Sequence, residues 1–507
     1  MDMRGIYTSV TKLRRQVFTE IARLAYEGGD LSRIEELPYK IVPGEVATYR
    51  ESIFLERAII GERLRLAMGL PVRPITQHAP LAQGIEEAAK AEKFYDPPLV
   101  NIISIACHSC PRTKVLVTDG CQGCLARPCM EVCPKKAIYQ HHGRSHIDPD
   151  KCVKCGKCVE VCPYHAIIKQ ERPCEAACGM GAISSDELGR CSIDYDKCVS
   201  CGQCIVNCPF GAIADKSQIF QLIQAIKRGD EMIAAVAPAF VGQFGPRVHA
   251  EQIKEAMKEM GFAGIYEVAV GADLCTIEEA KDFMEKVPAE QEWMGTSCCP
   301  AWSVMAKKTL PDKVGYISMT LTPMVLTARL IKKEHPNARV VFIGPCSAKK
   351  LEASRRSVRS DVDFVLTFEE LRGMLEAKGI NLETVKEEDV SQRFNEGSGD
   401  GRGFAVGGGV ASAVVNAIKR MDPDREVLVD SAQGLKECRK MLMLAKAGKR
   451  NGYLLEGMAC PGGCVAGAGT LLPVAKSTAI VGLYKKAAPV QESMDSKYAE
   501  LADEIYK

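Results

Sequence analysis

The sequence predicts an α/β protein: a domain of mostly parallel strands in its second half, preceded by small cysteine-rich α+β units and a helical N-terminal segment. Three observations carry this prediction. From about residue 225 onward, short apolar runs alternate with amphipathic helical stretches, the pattern of strands buried on both faces and joined by helices. Seventeen of the 24 cysteines lie between Cys107 and Cys208, and residues 1–100 contain none. At 507 residues the chain exceeds what one hydrophobic core commonly serves. The expected division is 1–100 as a helical N-terminal region, 101–220 as a multi-cluster region, 225–490 as the α/β domain and 491–507 as a C-terminal helix.

Lys plus Arg number 66 against 64 for Asp plus Glu, a balance with no general drive toward nucleic acid or an acidic membrane surface. The opening MDMRGIYTSVTKLRRQVF has neither the apolar core nor the cleavage site of a secretion signal. No apolar run reaches the roughly 18 residues of a spanning helix. The chain therefore reads as a cytoplasmic protein without a membrane or nucleic-acid partner, whose cysteines serve as metal ligands rather than disulfides. Within the first region, ESIFLERAIIGERLRLAMGL at 51–70 has the spacing of an amphipathic packing helix.

In the α/β domain, MIAAVAP at 232–238, GIYEVAV at 264–270, RVVFIGP at 339–345, DFVLTF at 363–368 and EVLVDS at 426–431 read as buried strands. Cys346 then falls at the end of a strand, where α/β folds place their sites. FAVGGGVASAV at 404–414 lacks the P-loop Lys and the GxGxxG spacing, so it reads as a close backbone approach into a helix.

The cysteine-rich region contains a repeat. CVKCGKCVEVCPYHAI at 152–167 matches CVSCGQCIVNCPFGAI at 198–213, CQGCLARPCMEVCPKKAI at 121–138 is a third copy with two extra residues, and PCEAACGMGAI at 173–183 is a shortened fourth. The spacing CxxCxxCxxxCP resembles the bacterial two-cluster ferredoxin, in which three close thiolates hold one 4Fe-4S cube and the fourth reaches the partner cube. Structural zinc is disfavoured, since it has no use for the third cysteine or the trailing CP. Crossed pairing gives Cys121, Cys124, Cys129 with Cys162; Cys152, Cys155, Cys158 with Cys133; and Cys198, Cys201, Cys204 with Cys178. Cys174 and Cys208 lack two mates, which Cys107 and Cys110 of CHSC could supply, for about four cubes with Cys191 left over. Two alternatives stay open: a zinc ribbon made of CHSC and the CxxC at 121, or Cys191 in place of one ligand. His141, His142 and His146 lie in a polar loop and read as solvated.

Five further cysteines stand in Gly- and Pro-rich turns: TSCCPAW at 296–302, GPCSAKKLE at 344–352 and GMACPGGCVAGAG at 457–469. In order and separation these three motifs resemble the signatures of the FeFe hydrogenases, over roughly residues 225–485, and the ferredoxin-like clusters suit the same family. The resemblance implies a two-lobed catalytic domain built around the H-cluster, a 4Fe-4S cube joined through a cysteine sulfur to a two-iron unit with CO, cyanide and azadithiolate. It implies Cys299, Cys346, Cys460 and Cys464 as cube ligands, with Cys464 bridging, and soft thiolates in Gly-rich turns suit such a group. It further implies Cys298 as the last proton donor, Lys349 as a cyanide partner, and Pro238, Pro323 and Met458 as lining of the two-iron pocket.

TIEEAKDF at 276–283 resembles the family segment whose acids relay protons, and ISMTLTP at 317–323 the segment supplying its serine. The relay candidates are Glu279, Ser318 and Asp282, where the family usually has Glu at the last position. Glu279 and Asp282, three apart, share a helix face. Gly344 in place of Met, Pro461 in place of His and GAG in place of GGG set the chain in a divergent subgroup. The resemblance implies interconversion of protons, electrons and H2, an external ferredoxin as electron partner, and hydrogenase maturation proteins. The rivals are an H2-sensing or low-turnover hydrogenase-like redox protein, a hydrogenase-like protein of Fe-S assembly, and a polyferredoxin carrier.

Overall fold

The computed structural model describes residues 5–90, 95–385 and 396–506. In the N-terminal region the helices Ser9–Glu27 and Ile53–Ala67 begin at Thr8 and Ser52, whose side chains each accept a backbone N–H of the first turn, a donor the helix itself leaves free. This region shares a core with the α/β domain, since Val17, Phe18 and Ile21 belong to the same buried cluster as Phe368 and Leu371. A Cβ on Gly373 would stand 2.7 Å from Phe18 Cβ, so the approach of the two helices requires glycine there.

The structure departs from two expectations. Helix Ile53–Ala67 does not turn its charges to solvent: Glu56, Glu62, Arg63 and Arg65 are all buried. Glu56 accepts the backbone N–H groups of Thr48 and Arg50, Glu62 pairs with Arg73, and Arg65 donates to the carbonyls of Pro71 and Leu81. These partners offset the cost of burying charge. Of the C-terminal helix expected over 491–507, the described residues, to 506, are likewise broken into turns at Ser493–Asp495 and Ala499–Leu501 and a short helix Ala502–Tyr506. Ser493 Oγ donates to buried Asp273 Oδ1, and Tyr498, Ala502 and Ile505 pack into a core cluster with Val270 and Leu274, so tertiary anchoring overrides a continuous helix.

The cysteine-rich region holds eight short strands: β1 (Val100–Ile102), β2 (Lys114–Val117), β3 (Ile138–His141), β4 (Arg144–Ile147), β5 (Ile167–Gln170), β6 (Ile183–Ser185), β7 (Cys191–Ile193) and β8 (Ile213–Asp215). They make two copies of one fold, and one copy is inserted into the other. In the inner copy β2 pairs antiparallel with β5 around the hairpin β3–β4. In the outer copy β1 pairs antiparallel with β8 around the hairpin β6–β7. Their hydrogen bonds correspond: Thr118 N donates to Ala166 O at 2.7 Å and Ile103 N to Ala212 O at 2.8 Å, while Asp148 N to Ala137 O and Asp194 N to Ala182 O are both 2.8 Å. The inner copy thus separates Cys107 and Cys110 from Cys174 and Cys178.

The α/β domain contains β9 (Met232–Val236), β10 (Gly264–Glu267), β11 (Trp293–Gly295), β12 (Arg339–Gly344), β13 (Phe364–Thr367), β14 (Leu428–Gln433) and β15 (Tyr453–Met458). They form two sheets, ordered β10-β9-β12-β13 and β11-β15-β14, with every pair parallel. β9 and β13 are buried along their whole length, as helices on both faces of a parallel sheet require. The run at 426–431 departs from the expected buried strand. Among the described residues β14 begins at Leu428 and is an edge strand paired only with β15, and Leu428 and Val429 are exposed.

The cysteine motifs follow the carboxyl ends of these strands. Pro238 comes after β9, Cys298 and Cys299 after β11, Cys346 after β12, and Met458 ends β15. The stretch 404–414 makes a close backbone turn into helix Gly409–Met421: Gly408 has φ +86°, and a Cβ on Gly409 would lie 1.9 Å from Gly403 O. Glu456 accepts the N–H groups of Gly408 and Ala411 at 2.7 and 2.8 Å, taking donors that a phosphate would need.

Candidate active site

One cavity, which with its opening to solvent spans about 850 Å³, collects Cys298, Cys299, Cys346, Cys460, Cys464 and Lys349 from the three separated motifs. Pro238, Pro323 and Met458 line it as well, the second as the opening residue of helix Pro323–Glu334. Two other cysteine-lined cavities measure about 340 and 400 Å³. The large one therefore has more than twice the room beside a comparable set of four thiols, and its extra wall is apolar. The donor set fits a large iron-sulfur group: four soft ligands, with space beyond a cube.

Burial pushes the Cys346 thiol up to about 11 and the Cys464 thiol to about 12. Cys299 is also raised by burial, although the backbone N–H groups of Ala459, Trp302 and Ala301 favour its thiolate. Iron binding would displace these protons. Adjacent Cys298 has different surroundings. Its pKa is driven well up by burial first, then by Glu279 and Cys275, so it is a neutral thiol with a proton to give.

Lys349 Nζ donates to Glu352 Oε2 at 2.7 Å, Thr322 Oγ1 at 2.9 Å and Cys298 O at 3.3 Å. Burial lowers its pKa, but Glu352, with Cys346 and Cys298 adding to it, turns this into a net rise. Lys349 is thus a held cation at the cavity wall. Its burial is already compensated by a carboxylate of this chain, so burial alone is no argument for an anionic cluster. Glu352 lies inside the quoted motif, three residues on, and that helical spacing was the available signal.

Among the described residues, the relay candidates form two pairs. Glu279 Oε1 accepts from Ser297 N at 2.6 Å. Its other oxygen is buried without a partner, and burial raises its pKa to about 7. Three residues along the same helix, Val268–Lys286, Asp282 Oδ2 accepts from Ser318 Oγ at 3.3 Å, and Asp282 Oδ1 pairs with Lys286 at 3.0 Å. Ser318 Oγ also lies 2.9 Å from Thr320 Oγ1. No hydrogen bond links Glu279 directly to Ser318. Cys275, buried one turn before Glu279, is a neighbour that the sequence did not single out.

The cluster candidates gather in sets. Cys133, Cys152, Cys155 and Cys158 line one small cavity, and Cys178, Cys198, Cys201 and Cys204 line another. Cys121 and Cys129 meet at Ser145, and Cys129 and Cys162 share a core cluster. Cys107, Cys174 and Cys208 share a different one with Cys191, and Cys110 is within electrostatic reach of Cys107 and Cys174. Cys107 and Cys121 belong to different copies of the fold, which does not bring them together as a zinc ribbon would. His141 and His142 are exposed.

One small cavity abuts the large one. Cys201 lines both, Gln203 Nε2 donates to Cys460 Sγ at 3.2 Å, and a Cβ on Gly202 would lie 2.5 Å from Ala468 Cβ. Gln203 is simply a variable residue of CxxC, so no sequence signal marked it. The contact is braced by Lys350, which donates to Asp215 Oδ2 at 2.9 Å and Glu370 Oε1 at 2.8 Å, with Ser347 Oγ donating to Asp215 Oδ2 at 2.8 Å.

Residues 230–468 match the family model of the iron-only hydrogenase large subunit, C-terminal domain, and residues 145–168 and 192–214 match the 4Fe-4S binding domain. The periplasmic [Fe] hydrogenase large subunit of Nitratidesulfovibrio vulgaris is 29% identical over 64% of this chain and 85% of its own length. Iron hydrogenase 1 of Clostridium pasteurianum is 28% identical over 64% of each chain, so this chain spans a little under two thirds of that relative. A probable cytosolic Fe-S cluster assembly factor of Aedes aegypti is 26% identical over 51% of this chain and 66% of its own length. Among the described residues no helix is long and apolar enough to cross a membrane.

Proposed function

We propose that this chain, which matches an iron-only hydrogenase domain over residues 230–468 and 4Fe-4S binding domains over 145–168 and 192–214, interconverts protons and electrons with H2 at an H-cluster held by Cys299, Cys346, Cys460 and Cys464. The observation that carries the reading is the single large cavity in which these four thiols stand with Cys298 and Lys349. When bound, the two-iron unit supplies the open metal position at which H2 forms or splits.

The chain's own residues then bind, shield and move protons. Pro238, Pro323 and Met458 keep the cavity wall apolar and exclude water. Lys349, fixed by Glu352 and Thr322, presents positive charge to cyanide. Cys298 gives and takes the proton at the cavity, and Glu279 exchanges it from a carboxyl with a pKa near neutrality, as a relay acid needs. Asp282 and Ser318 make the outer pair toward solvent.

Electrons would pass from an external ferredoxin along the 4Fe-4S clusters. Cys155 is exposed and Lys151, Lys154 and Lys157 around it are exposed too, which suits an acidic carrier docking at that end. At the other end, the contacts of Cys201 and Gln203 support transfer into the main site. The test is H2 evolution by anaerobically matured protein supplied with a chemical reductant. Turnover supports the reading; iron-loaded protein that neither evolves nor consumes H2 refutes it.

The similarity to an Fe-S assembly factor favours a second reading, a hydrogenase-like protein without turnover. Cluster transfer to an apo acceptor protein, with no H2 chemistry, is the outcome that would select it.

A further inference from the structure

Cys191 is the one cysteine of the cluster region that the four ligand sets leave over. The duplication of the fold gives it a counterpart. The hairpin register pairs Ile138 with Ile147 in the inner copy and Ile183 with Ile193 in the outer copy. Ser145 and Cys191 each stand two residues before the second member, so they occupy the same position.

Their contacts correspond too. Ser145 N donates to Cys121 Sγ at 3.5 Å, and Ser145 Oγ lies 3.6 Å from Cys129 Sγ. Cys191 N donates to Cys107 Sγ at 3.2 Å, and Cys191 Sγ lies 3.9 Å from Cys174 Sγ. Cys107 therefore corresponds to Cys121, and Cys174 to Cys129. The segments around the latter pair agree, since Arg127-Pro128-Cys129 opens helix Pro128–Glu131 and Arg172-Pro173-Cys174 opens helix Pro173–Ala177. By the same correspondence Cys110 takes the place of Cys124 and Cys208 that of Cys162.

We propose that Cys107, Cys110, Cys174 and Cys208 hold a 4Fe-4S cluster, and that Cys191 is not a ligand of it but donates an S–H···S hydrogen bond to the Cys174 thiolate. The inference rests on the iron-sulfur part of the reading above and is independent of H2 chemistry. A cube has four iron corners, each taking one thiolate, so a fifth thiol at this position has no corner to fill. Its role is electrostatic. A donor aimed at a ligand sulfur stabilises the more negative, reduced cluster and raises its potential. A thiol is a weaker donor than a hydroxyl, so cysteine here sets a lower potential than serine would. Cys191 is a tuning residue in the outer copy where the inner copy has serine.

The experiment uses anaerobically reconstituted full-length protein, with iron per chain and EPR-monitored redox titration as readouts. Cys191→Ser and Cys191→Ala should both keep wild-type iron, with one cluster's midpoint potential moving up in the first and down in the second. Cys110→Ala should lose one cluster's iron. Loss of a cluster's iron in Cys191→Ala would make Cys191 a ligand and overturn the proposal; unmoved midpoints would remove the hydrogen bond. Full iron retention in Cys110→Ala would instead overturn the cluster site itself.

Discussion

Cys298 and Cys299 differ by one position in the chain; burial raises both thiols, but their other neighbours differ. Cys299 meets backbone N–H groups that favour a thiolate, whereas Cys298 meets Glu279 and Cys275, which oppose one. Cys298→Ser should accordingly leave iron content unchanged while lowering H2 turnover by about 10² to 10⁴, the usual weight of a positioned proton donor. Undiminished turnover would remove Cys298 from the proton path.

Glu279 allows a separate test at the same scale, with no assay of H2. Burial raises its pKa from 4.5 to about 7, so the folded state holds this proton more tightly than the unfolded chain. The sign follows: the stabilising contribution is full below the unfolded value and is lost as pH rises through about 7. In apo-protein at pH 8, Glu279→Gln should be more stable than wild type by about 3 kcal/mol. Below pH 4.5 the difference should vanish. Denaturant titrations across that range check this, and parallel stability curves would contradict it.

At the scale of elements, the joint between cluster region and α/β domain is a buried ion group. Lys350 is fully buried between Asp215, at the end of β8, and Glu370. Lys350→Met would leave two buried carboxylates without their cation and should cost about 3–5 kcal/mol. Its denaturation midpoint should fall well below that of an exposed control such as Lys476→Met. The cysteine spacing made the cluster motifs readable because metal chemistry constrains it directly. Bookkeeping already matched Cys107 and Cys110 with Cys174 and Cys208, but the insertion of one copy into the other was not readable, since CHSC keeps too little of the motif to mark the start of an outer copy. The charges of helix Ile53–Ala67 misled for a related reason: their partners, such as Arg73 and Pro71, lie beyond the helix.

Over the whole molecule, the parallel α/β architecture was legible because buried strands leave continuous apolar runs. The edge strand β14 lacks one neighbour and blurred that signal. The residues the structure gathers at one cavity stand in contiguous motifs of the sequence, as Cys346 and Lys349 do. The site was not legible where it depends on contact between domains, as with Gln203 and Cys460. In the proposed electron route, exposed Cys155 stands at one end, and at the other the contacts of Cys201 and Gln203 meet the large cavity.

Whether the four thiols of the three motifs hold an H-cluster in that cavity is decided by infrared spectroscopy of anaerobically matured protein. Such a cluster gives sharp bands from metal-bound CO and cyanide that disappear in Cys346→Ala. Their absence from wild-type protein carrying its full complement of 4Fe-4S iron would contradict an H-cluster there.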